Sequence, residues 1–181
     1  MHGKRYFAEL LEANARLLAD LKPLLAFNRT QVEQLEQMDH VLIRQLIRDP
    51  LLKERIERLK SIDGVGDLTA LTWAVEVGEP SRFPNERHAI SYCGLCAAER
   101  ESAGVHKRGP LSKQRNHFLQ TTLIEAAHLA VHFNEKLRAI YETECQRGPK
   151  NRATLEVARR LVRWLLAADR QYFASLRVAA A

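Results

Sequence analysis

Seventeen consecutive residues, Arg100-Glu101-Ser102-Ala103-Gly104-Val105-His106-Lys107-Arg108-Gly109-Pro110-Leu111-Ser112-Lys113-Gln114-Arg115-Asn116, combine hydroxyl nucleophiles with cations. A serine among flexible glycine positions, with Lys107, Arg108, Lys113 and Arg115 nearby, has the ingredients for attack on a phosphodiester. Cations neutralise the charge that develops on the phosphoryl oxygens, and one close to the hydroxyl lowers its effective pKa. Serine is also common in loops, so a structural or merely solvated role stands beside the chemical one.

A second constellation is Ser61-Ile62-Asp63-Gly64-Val65-Gly66-Asp67-Leu68-Thr69-Ala70. Hydrophobic, any, Gly, hydrophobic, Gly, with a small residue four positions on, is the pattern a helix-hairpin-helix requires. Its glycines admit backbone conformations closed to other residues. Gly64, Val65 and Gly66, with the N-terminus of the following helix, can then receive a DNA phosphate. Recognition of this kind reads the backbone and carries no sequence information. The alternative is a plain interhelical turn. Asp63 stands where such hairpins often carry proline, and with Asp67 it adds negative charge at the phosphate end.

Other chemistry is weakly signalled. Cys93 and Cys96 form a C-x-x-C pair without a second half, since Cys145 stands alone and no close histidine pair completes a zinc set, so no metal site is expected. His128 and His132 share an i, i+4 face but lack the glutamate of a metalloprotease motif. There is no Walker-type phosphate loop and no paired-carboxylate site.

The elements that must position these residues read as helices. Apolar residues from Phe7 to Leu25 keep a helical period that Pro23 is expected to kink or end near Lys22. A second periodic segment runs from Val32 to Ile47, and Asp49-Pro50 opens a third through Ile56 and Leu59. Residues 1–58 therefore read as a helical hairpin or coiled-coil arm, suited to self-association. Gly78 and Gly94 mark helix ends, residues 96–112 form a basic loop, and helical periodicity resumes from Phe118 and again from about Asn151. Trp73 and Trp164 sit on periodic apolar faces and are expected in the core. No alternating segment of strand length stands out, so the chain is expected to be all-α: an arm over 1–58, then a helical domain over 59–181 with the helix-hairpin-helix at about 59–78.

Composition excludes several classes. The 181 residues are 46% hydrophobic with 28 Lys+Arg against 22 Asp+Glu, which rules out disorder. No apolar run reaches the roughly 18 residues of a membrane span. Glu9, Glu12 and Arg16 interrupt any signal-peptide pattern, and an odd cysteine count without one points to a reducing cytoplasm. Positive charge is blocked rather than dispersed: five basic and one acidic side chain over 100–116, and eight and two over 147–181. Such blocks are candidate phosphate contacts, although solvated faces are the plainer account.

IDGVGDLTA at 62–70, Arg82-Phe83, ISYCGL at 90–95, ESAG at 101–104, LSKQRNHFLQTTLIEAA at 111–127 and the tail RGPKNRATLEVARRLVRWLLAADR at 147–170 occur in that order. Together they resemble the C-terminal transposase domain of the DEDD-type insertion-sequence transposases, a group that includes bridge-RNA-guided recombinases and Piv-type invertases. The resemblance covers about 60% of the chain.

It implies a division of labour. In the family an N-terminal RuvC-like domain holds Mg²⁺ on four acidic residues, a coiled coil joins subunits, and the C-terminal domain supplies a serine that becomes linked to DNA. By motif that serine is Ser102, where the family has Ser-Gly and this chain Ser-Ala-Gly; Ser112 is the weaker candidate. Lys107, Arg108, Lys113 and Arg115 are then the phosphate contacts, and Arg115 stands where the family usually has Gly before Asn116. Residues 1–60 contain no RuvC pattern, so the chain is expected to bind no cofactor itself, with Mg²⁺ entering only alongside a RuvC-like partner. The partners implied are DNA, a guide RNA and a second copy through residues 1–58. A non-catalytic helix-hairpin-helix module or a decayed transposase remnant is the alternative.

Overall fold

The computed structural model describes residue 9 and residues 21–102, 105–111 and 115–179. The chain divides into two compact units, Met1–Arg44 and Gln45–Ala181. Helix α1, Leu21–Arg48, carries the described part of the first unit. The break expected near Lys22 falls at the edge of the described residues, which resume at Leu21. Pro23 itself lies within the helix. The helix also continues through Asn28 to Gln31, with Thr30 Oγ1 donating to Ala26 O at 3.1 Å. The two periodic segments are thus joined over 21–48 without a hairpin turn, and residues 10–20 lie outside the described set. No residue of α1 is buried, and Leu24, Phe27, Leu35, Met38 and Leu42 are each more than half exposed.

The second unit is a helical domain. Short helices α2 (Lys53–Lys60) and α3 (Asp67–Val77) flank the glycine turn, a 3-10 turn Pro80–Arg82 leads to α4 (Glu86–Tyr92), and α5 (His117–Phe133), α6 (Glu135–Arg147) and α7 (Lys150–Ala179) complete the body. Helix α7 is the spine. Its Val157, Leu161, Leu165 and Leu166 recur at helical spacing and are at most 1% exposed, each side chain contributing about 1.5–3 kcal/mol by burial. Around it pack Ile56 and Leu59 of α2 and Leu119 and Leu123 of α5, with Trp73 and Val77 of α3 buried against α2 and α5, all at or near zero exposure. Asn85, Asn116 and Asn134 cap α4, α5 and α6 by accepting from the backbone N–H groups of His88, Leu119 and Leu137.

Two expectations change here. The segment read as a basic loop over 96–112 is an antiparallel hairpin, β1 (Ala97–Ser102) paired with β2 (Val105–Leu111), the one pair of strands among the described residues of an otherwise α-helical chain. It lacks the apolar alternation of a sheet with a buried face, so its ladder rests on backbone pairing. Trp164, expected in the core, is half-buried on α7, whereas Trp73 is fully buried. No described helix is long and apolar enough to cross a membrane.

Candidate nucleic-acid interface

The hairpin springs from a pinned base. Helix α4 ends at Gly94, whose φ of 70° is left-handed and whose missing Cβ makes room for the Arg115 side chain. A Cβ there would lie 2.5 Å from Arg115 Cβ. Gln120 Nε2 of α5 donates to Gly94 O at 2.6 Å, and Arg159 Nε of α7 donates to Leu95 O at 2.9 Å. On the return side, Asn116 N donates to Tyr92 O, Asn116 Nδ2 donates to Glu76 Oε2 at 2.5 Å, and Tyr92 OH donates to Glu76 O at 3.1 Å. Both feet of the ribbon are therefore tied to α3, α4, α5 and α7 by buried or half-buried hydrogen bonds, the kind that cost most to leave unmade.

The register places the candidate chemistry. Glu99 pairs with Arg108, Arg100 with Lys107, Glu101 with His106 and Ser102 with Val105, with an irregularity between Ala97 and Glu99. Directly opposed residues share a face and successive ones alternate. Positions 100, 102, 105 and 107 thus lie on one face of the ribbon, and 99, 101, 106 and 108 on the other. Ser102 shares its face with Lys107 and also with Arg100, whose part the sequence reading did not single out. Arg108 falls on the opposite face, facing Glu99. Ser112 and Lys113 lie outside the described residues.

At the glycine turn the three candidates part company. Gly64 has a φ of 91° and is closed against α5, where a Cβ would collide with Ala130. Val65 is 6% exposed and its N–H donates to Ile62 O at 2.9 Å, so it anchors the turn in the core. Gly66 is exposed, has open space around its Cα and begins α3 without a side-chain cap. The reachable donors are those of Gly66 and the first turn of α3. The acidic residues noted in sequence are partly answered: Lys60 Nζ lies 2.7 Å from Asp67 Oδ1 and 3.2 Å from Glu57 Oε1, and these two carboxylates raise the Lys60 pKa. Asp63 Oδ2 accepts from Asn134 Nδ2 at 3.4 Å.

These elements, the turn and the anchored hairpin, fall inside the segment from 56 to 142 that matches the family described as Transposase IS116/IS110/IS902. Residues 56–142 of this chain are thus similar to the transposases of this family. It is 35% identical over 74 residues to the transposase for insertion sequence element IS1111A of Coxiella burnetii, covering 41% of this chain and 20% of that protein. Over 117 residues it is 28% identical to a Pseudomonas aeruginosa protein named as a family 20 transposase, covering 65% of this chain and 35% of that protein. It is 27% identical over 96 residues to the pilin gene-inverting protein of Moraxella bovis, covering 52% and 30%. The aligned residues thus span between a fifth and about a third of the length of these curated relatives.

The C-x-x-C pair follows α4. Cys93 is fully buried, and burial, with the neighbouring Cys96 thiol, pushes its pKa up to about 12. Among the described residues no group of three His, Cys, Asp or Glu is placed to hold a metal ion. Sequence reasoning missed the clamp formed by Glu76, Gln120 and Arg159. Its members lie 26 to 64 residues from the backbone groups or side chains they hold, and no local pattern marks them.

Proposed function

We propose that this chain is the DNA-engaging, nucleophile-supplying part of an insertion-sequence transposase or recombinase. The observation that carries the reading is the register that sets Ser102 at the end of β1, on the same ribbon face as positions 100 and 107. In the proposed step Ser102 Oγ attacks a DNA phosphorus. The Oγ–P bond forms, the P–O3′ bond breaks, the 3′-oxygen leaves and takes up a proton, and the serine proton passes to solvent. The product is a 5′-phosphoserine link. Arg100 and Lys107 stabilise the charge on the phosphoryl oxygens, while Gly66 and the first turn of α3 hold a phosphate elsewhere on the duplex. Mg²⁺ chemistry belongs to a RuvC-like partner, and self-association to residues 1–58, whose exposed apolar residues on α1 support it.

The test is capture of covalent protein–DNA adducts on a nicked element-end duplex, with the RuvC-like partner and Mg²⁺ added, with and without guide RNA. The expected result is an adduct that Ser102→Ala abolishes and Ser112→Ala preserves. An adduct that survives Ser102→Ala overturns the assignment. Duplex binding that weakens steeply with salt, with no adduct under any condition, identifies the chain as a non-catalytic binding module.

A further inference from the structure

Between α4 and α7 lies a cleft lined by Glu86, Arg87, Ile90, Arg160, Arg163, Trp164 and Ala167. The α7 members stand at i, i+3, i+4 and i+7, one face of that helix, and the α4 members at i, i+1 and i+4. The cleft encloses about 530 Å³, within the roughly 300–1,000 Å³ of ligand-sized sites. Ile90 is 5% exposed and supplies the apolar floor, and Trp164 is half-buried beside it.

Three guanidinium groups converge there against one carboxylate of the lining. Arg163 lies 3.4 Å from Glu86 and 3.7 Å from Glu156, both longer than a tight ion pair. Arg87 is exposed and, among the described residues, lies within ion-pair distance of no acidic group. Arg160 is half-buried, and its Nε is shut off from water with no hydrogen-bond acceptor. Cations that take phosphates, beside an indole face that takes a base, are the two components of single-strand recognition. A duplex keeps its bases stacked inside and offers the indole no base face.

We propose that this α4–α7 cleft binds a single-stranded nucleic-acid segment, with Arg87, Arg160 and Arg163 on its phosphates and a base stacked on Trp164. The proposal rests on reading the chain as a nucleic-acid protein, but it uses residues separate from the ribbon and the turn.

Fluorescence reads it directly. Trp73 is fully buried with its Nε1 bonded to Asp169 at 3.0 Å, so an oligonucleotide reaches only Trp164. Titration of the full chain with an oligothymidine of about 12 nucleotides is expected to quench the emission saturably. Trp164→Ala weakens binding, followed by anisotropy of a labelled oligonucleotide, by about 5- to 150-fold, the range of one lost base stack. Arg87→Ala, a surface change that leaves folding intact, lowers the log–log salt slope by about 0.7. No quench, an equal quench by inorganic phosphate alone, or unchanged affinity in both variants overturns the proposal. Duplex binding lost on Lys107→Ala, with the Trp164 quench retained, leaves the cleft standing apart from the ribbon. A quench that fails while ribbon-dependent duplex binding survives sinks the cleft alone.

Discussion

Asp169→Ala is expected to be among the most destabilising single changes in the second unit. Asp169 is 1% exposed and Arg55 6%, and their side chains meet 114 residues apart in sequence. The carboxylate accepts from Arg55 Nε at 2.7 Å, Arg55 Nη2 at 2.6 Å and Trp73 Nε1 at 3.0 Å. Arg55 spends its other donors on Ala74 O at 3.0 Å and Gly78 O at 2.5 Å, so the network ties α2, α3 and α7 together. Truncation leaves a guanidinium charge in the core with only two carbonyls and strands the indole N–H. Breaking a buried pair by removing one partner costs about 3–5 kcal/mol, a large fraction of the roughly 5–15 kcal/mol that holds a domain together. With a urea m-value near ~2 kcal/mol/M, the midpoint moves down by about 1.5–2.5 M. The diagnostic comparison is the double variant Arg55→Met/Asp169→Leu, which removes both charges together and is expected to lose less than Asp169→Ala alone. A loss below about 1 kcal/mol for the single variant, or a double variant less stable than the single, refutes the reasoning.

Three further outcomes follow from the same packing. Gly64→Ala forces a Cβ into Ala130 at a left-handed φ and is expected to cost about 1–3 kcal/mol by urea titration, whereas Gly66→Ala, with open space around it, costs under about 1. Gln120→Ala leaves the buried Gly94 carbonyl without its donor. It is expected to cost about 1–3 kcal/mol and to speed amide exchange at Leu95 more than in α6. Cys93 is expected to resist iodoacetamide in the folded chain at pH 8.5 and to react once urea unfolds it, because the buried thiol holds its proton up to about pH 12. The sign for stability is that the folded state binds this proton more tightly than the unfolded chain. The contribution is therefore full below about pH 9 and is lost as pH rises from there towards 12.

Local signals carried far in this chain. The 3.6 period of Val157, Leu161 and Leu165 announces α7, and Gly78 and Gly94 end α3 and α4 where a left-handed residue is needed. Asp49 turns the chain into α2 by accepting from Leu51 N at 2.8 Å. What misled was context. Residues 97–111 read as a loop because neither ribbon face carries an apolar stripe, and Pro110 is tolerated in an edge strand.

The sequence by itself determined the helical class, the glycine turn and the concentration of cations about Ser102, since each is written in neighbours within a few turns of chain. Only the tertiary structure decided which of those residues act together. Pairing registers set Arg100 and not Arg108 beside Ser102, and packing closed Gly64 and Val65 while leaving Gly66 open. The folded chain also brought Arg87 of α4 against Arg160, Arg163 and Trp164 of α7. Such juxtapositions arise from long-range burial and strand register, which no local period encodes.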